Sequence, residues 1–75
     1  MSVATLSPDE FDALERAIIA RRRIAVIKHG MELVVLPERI LFRPGGEAIE
    51  ARHPSTGERV IFNVADLDGF EVVKW

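Results

Sequence analysis

The apolar residues of this chain change their period once, just before Ile24, and that change constrains the fold more than any other feature. Upstream, Phe11, Leu14 and Ile18 recur at i, i+3 and i+7, with Ala17 filling the stripe, the spacing of one apolar face on a helix. Downstream the period is two. Ile24-Ala25-Val26-Ile27 is rich in β-branched residues and alternates, and Val60, Phe62 and Val64 share one side of a later run, as strand residues do. A chain that is helical once and extended thereafter has one helix to lay on a sheet.

The helix start is dense with local signals. In Leu6-Ser7-Pro8-Asp9-Glu10-Phe11, Ser7 is placed as N-cap and Glu10 as its capping-box partner. Pro8 falls at the first helical position, where its missing N–H costs nothing. Leu6 and Phe11 have the spacing of a hydrophobic staple, and Asp9 and Glu10 complement the positive end of the helix dipole. The expected helix covers about residues 8–22, and strands follow over about 24–75.

Turn chemistry divides the extended part. His29-Gly30 reads as a turn. Met31 to Leu36 is a second extended run bent at Pro37, which cannot donate to a ladder, and extension resumes over Arg39 to Arg43. Pro44-Gly45-Gly46 is a tight turn, Glu47 to Arg52 a shorter strand, and His53 to Gly57 a loop. Glu58 to Val64 is a strand, Ala65 to Gly69 a compact 3₁₀ turn, and Phe70 to Trp75 the last strand. The expectation is mainly β with one N-terminal α-helix. Five short, curved strands would close into a small Sm-like or SH3-type barrel, which removes exposed edges.

A chain of 75 residues makes one domain, residues 1–75, and a small one that gains from reinforcement. There is no cysteine, which excludes disulfides and thiolate metal sites. His29 and His53 are far apart in sequence, so no metal site and no cofactor are expected. Self-association is the expected reinforcement. Phe70, Val72 and Trp75, with Val34 and Leu36, form a candidate exposed apolar strip, and Ile61 and Val73 point away from their strands' alternation. Apolar residues on both faces imply either helix cover or a subunit interface, and with the need for reinforcement a homo-oligomer is expected. Net charge is −2, which argues against bulk, non-specific nucleic-acid binding. No apolar run reaches membrane-span length. The first ten residues lack a basic segment followed by an apolar one, so a cytoplasmic location is expected.

The order of elements is that of Sm-like barrels, and the sequence resembles one branch of them. Ala13-Leu14-Glu15-Arg16-Ala17-Ile18 followed by Arg21-Arg22-Arg23-Ile24-Ala25-Val26 is similar to the opening of a WYL domain. Val34-Val35-Leu36-Pro37 with Ile40-Leu41-Phe42-Arg43 resembles that family's bend and second strand. Gly57-Glu58 with Phe62-Asn63-Val64-Ala65-Asp66-Leu67 resembles its late segment. The Trp-Tyr-Leu triplet that names the family is replaced by Ala48-Ile49-Glu50, so the resemblance is to a degenerate, stand-alone form. It implies a regulatory, non-catalytic module in transcription regulation, binding nucleic acid or a small anionic ligand.

The candidate binding residues are basic. Arg22, Arg23, Lys28 and His29 could share one rim. Arg43 matches the resembled family at its position, and Arg59 stands one step from the family's arginine. Arginine's planar fork suits bidentate phosphate contact, so the expected partners are single-stranded nucleic acid or an anionic small molecule. The plainer reading makes Arg21-Arg22-Arg23 a solvated helix terminus favoured by the dipole, with Asp12 and Arg16 paired at i, i+4. It makes the strand arginines gatekeepers against edge pairing. No catalytic motif is present: the chain has no phosphate-cradling glycine loop and no nucleophile elbow. Asp66 and Asp68 lack calcium-loop spacing and read as caps of the 3₁₀ turn. An oligomerisation or protein-interaction module without a ligand is the other functional class.

Overall fold

The computed structural model describes residues 6–73. Residues 1–5 and 74–75 lie outside that part, and with them Trp75 of the expected apolar strip. Helix α1 spans Pro8–Ala20. Its start is as the sequence reads: Ser7 Oγ accepts from the Glu10 N–H at 3.2 Å, and Glu10 Oε1 accepts from the Ser7 N–H at 2.9 Å. Its end is two residues earlier than expected. Arg21 adopts the left-handed region, φ 54° and ψ 43°. The Arg22 N–H donates to Ala17 O at 2.8 Å and the Arg21 N–H to Ile18 O at 3.2 Å. This is the Schellman stop, in which glycine usually holds the left-handed position. An arginine there conceals the stop from sequence. It also takes Arg22 out of the last helical turn, where the dipole reading had placed it.

Five strands follow: β1 Ile24–Lys28, β2 Met31–Arg43, β3 Gly46–Arg52, β4 Arg59–Asn63 and β5 Gly69–Val72, with a 3₁₀ turn over Val64–Asp66 before β5. They form an antiparallel sheet in the order β4-β3-β2-β1-β5. Val64 opens the 3₁₀ turn instead of closing β4, a one-residue shift from expectation. The protein is thus mainly β with one N-terminal helix. The sheet has two edges: among the described residues, β4 and β5 are not paired with each other.

β2 is the strand that shapes the sheet. Its first residues pair with β1, Met31 opposite Lys28 through Val35 opposite Ile24. From Leu36 onward it pairs with β3, Leu36 opposite Arg52 through Arg43 opposite Gly46. The register shifts between Pro37 and Arg39, so the strand bends where it changes partner. That is where a missing proline N–H does least harm. Between β1 and β2, His29 and Gly30 both have positive φ, 52° and 77°, the two-residue turn whose twist matches the flanking strands. The Asp68 side chain braces it: Oδ2 accepts from the Gly30 N–H at 3.2 Å. Asp68 therefore holds the hairpin instead of capping the 3₁₀ turn.

The core lies between α1 and the sheet. Leu14 and Ala17 of the helix meet Ile24, Val26, Val35, Ile49 and Ala51. Phe62, Phe70 and Val72 pack around them, half-buried. Each fully buried Leu, Ile or Val contributes about 1.5–3 kcal/mol. The Leu6 N–H donates to Glu47 Oε1 at 2.7 Å, which ties the helix start to β3. Phe11 meets Phe42, ring centroids 6.1 Å apart.

Candidate anion-binding site

The left-handed turn at Arg21 decides where the three arginines go. Because Ile24 must pair with Val35 on one side and Val72 on the other, only Arg21-Arg22-Arg23 separate the end of α1 from a strand bonded on both edges. All three side chains are exposed. Among the described residues none of them takes part in an ion pair; the pairs there join Arg16 to Asp12, Arg39 and Arg59 to Glu50, and Arg52 to Glu38. The arginines border a recess of about 380 Å³, lined by Ala20, Arg21, Arg22, Arg23 and Val73, with no carboxylate among the described residues of that lining. The Val73 N–H donates to Arg23 O at 2.9 Å, so backbone bonding fixes one wall.

A groove of about 690 Å³ adjoins the recess between α1 and β5. The helix packs mainly across β2 and only lightly on β5, and the gap on the β5 side is this groove. Ala13, Ala17, Ala20 and Val72 line it together with Asp9, Asp12, Arg16 and Arg22. Ala20 and Arg22 border both spaces. Arg16 Nη2 lies 3.2 Å from Asp12 Oδ2, the i, i+4 pair read from sequence, and both side chains are largely solvated.

The other sequence candidates lie elsewhere. Lys28 ends β1, opposite Met31, and His29 is in the turn beyond it. Arg23 and Lys28 are five residues apart along an extended chain, about 16 Å at about 3.3 Å per residue. Arg22 and Arg23 therefore do not share a rim with Lys28 and His29. The strand length separates them. Arg43 closes β2 beside Gly46 and lines a smaller recess of about 240 Å³ together with Glu47 and Asp66. Two carboxylates there oppose an anion.

Arg59 is engaged on the sheet. Glu50 of β3 is the buried carboxylate of the described residues, 8% exposed. Its Oε2 lies 3.4 Å from Arg39 Nε and 4.0 Å from Arg59 Nε. Beside it, Arg52 Nε donates to Glu38 Oε2 at 2.9 Å and Arg52 Nη1 donates to Gly57 O at 3.0 Å. These strand arginines hold carboxylates and a loop in place. The residue that sequence reasoning left out of the binding set is Arg21, which the expected helix over residues 8–22 places in its last turn. The run of three arginines was the available signal.

No group of three or more His, Cys, Asp or Glu side chains among the described residues is arranged to hold a metal ion. No helix among them is long and apolar enough to cross a membrane. Comparisons with protein-family models, with curated proteins and with solved structures found no match for the chain.

Proposed function

We propose that the chain is a non-catalytic binding module that takes an anionic ligand at Arg21, Arg22 and Arg23, in a regulatory role of the kind the WYL resemblance implies. The observation that carries the reading is a recess walled by three consecutive arginines, with no carboxylate in its lining and no ion pair to those arginines among the described residues. Charges held apart from acidic partners remain available to a ligand, and arginine binds phosphate and carboxylate in a fixed fork geometry. The left-handed backbone of Arg21 supports the same reading. A side chain at a position that favours glycine costs stability, and such strain concentrates at functional sites.

An Sm-like arrangement of the strands, open between β4 and β5 among the described residues, belongs to this proposal as well. The order β4-β3-β2-β1-β5, the long bent β2 and the 3₁₀ turn before β5 support it. A salt titration tests the anion reading. If the three arginines contact the phosphates of a labelled oligothymidylate, log affinity falls against log salt with a slope of about −2, three contacts at about −0.7 each. Tight binding that ignores salt overturns the mechanism.

A second reading has its own observation. The outer sides of β4 and β5 carry no ladder among the described residues, and Ile61 on β4 is 46% exposed. Open edges template pairing with another chain, so edge-to-edge homo-oligomerisation is the alternative. Sedimentation equilibrium at micromolar concentration decides it. A mass well above 8.4 kDa, lowered by Ile61→Lys, supports it, and a clean monomer removes it.

A further inference from the structure

We infer that the ligand is a small amphiphile, a phosphate monoester with a compact apolar body. Its head would lie among Arg21, Arg22 and Arg23 and its body in the groove between α1 and β5. This rests on the anion reading above and narrows it to a ligand class. The first ground is continuity. The arginine recess and the groove are neighbouring spaces with Arg22 and Ala20 common to both, so a ligand held by Arg22 has the groove open beside it. The second is size. At about 690 Å³ the groove falls in the usual range for small-molecule sites, about 300–1,000 Å³, whereas inorganic phosphate alone would leave it unfilled.

The third ground is charge asymmetry. The basic end of the combined space carries Arg21, Arg22 and Arg23, while the groove's remaining charges are Asp9, Asp12 and Arg16, with Arg16 already paired to Asp12. Asp9 and Asp12 are on the first turns of α1, far from its arginine end. A nucleic-acid strand continuing along the groove would carry further phosphates toward those two carboxylates, which repel them. A ligand with one anionic head and an uncharged body meets no such opposition, and it covers the side chains of Ala13, Ala20 and Val72. Three guanidinium groups match a dianionic phosphate better than a single carboxylate.

Calorimetry at low salt with four probes tests this: octyl phosphate below its micellar concentration, inorganic phosphate, octyl glucoside and an eight-residue oligothymidylate. Octyl phosphate should bind at least about tenfold more tightly than inorganic phosphate, from the apolar area it covers, and octyl glucoside should not bind. Arg22→Gln should weaken both phosphates by about tenfold. Ala13→Phe should weaken octyl phosphate alone. Ala20→Phe, at an exposed position that borders both spaces, should weaken octyl phosphate more than inorganic phosphate and serves if the first variant does not fold. Equal affinity for the two phosphates, or octyl phosphate binding that ignores both phenylalanine variants, overturns the amphiphile and leaves the anion reading standing. Tighter binding of the oligothymidylate than of octyl phosphate overturns it in favour of a strand. No binding of any phosphate removes both.

Discussion

Replacing Arg39 and Arg59 with alanine, singly and together, probes the one carboxylate that the described sheet buries. Glu50 has a side chain 11% exposed, while Arg39 and Arg59 are 67% and 60% exposed. Either arginine alone leaves Glu50 a partner, so each single change removes one largely solvated ion pair, about 0.2–1 kcal/mol. The double change leaves a nearly buried charge with no partner among the ion pairs of the described residues. Breaking a buried pair costs about 3–5 kcal/mol, and the residual exposure of Glu50 places the expected loss near the lower end. The double mutant should therefore exceed the sum of the singles by about 1–2 kcal/mol in urea unfolding. Glu50→Gln in the double background should restore most of that, because it removes the unpaired charge and keeps the shape. A domain of this size has about 4–11 kcal/mol in total, so the losses are measurable. Additivity within about 0.5 kcal/mol, with no recovery from Glu50→Gln, would refute the reasoning. It would also return Arg59 to the set of free basic residues.

Three further changes separate the local signals from the core. Leu14→Ala removes a fully buried side chain and should cost about 3–5 kcal/mol, read as a large fall in the urea midpoint. Ser7→Ala deletes the observed cap and should cost about 1 kcal/mol in the same assay. Arg21→Gly relieves the left-handed strain and should raise stability by about 0.5–1 kcal/mol while weakening anion binding. A gain in stability with binding unchanged would remove Arg21 from the site.

What could be read from sequence was local. Ser7, Pro8 and Glu10 specify the helix start within one turn, and the structure has every bond of that box. Pro37 marks the bend of β2, and His29-Gly30 the first hairpin, because both are backbone constraints carried by single residues. The helix end fell two residues short of expectation because its left-handed residue is Arg21 and not glycine. The supposed rim of Arg22, Arg23, Lys28 and His29 failed for a different reason. Sequence placed these residues on either side of one strand, but the length of that strand keeps them apart. Glu50 was equally hidden, since only the register of β2, β3 and β4 brings Arg39 and Arg59 to it. The groove beside β5 depends on how α1 sits across β2, a tertiary matter that no window of residues records.

The central claim is that one arginine-walled recess binds anions, and one calorimetric comparison reaches it most directly. Inorganic pyrophosphate is titrated at low salt into the wild-type chain, into Arg22→Gln/Arg23→Gln, and into Lys28→Gln/His29→Gln. Each double variant replaces two neighbouring basic residues, one pair at each end of β1, and folding is checked by circular dichroism. The account predicts binding that is lost in the first variant and kept in the second. Equal loss in both, or no binding by the wild-type chain, contradicts it.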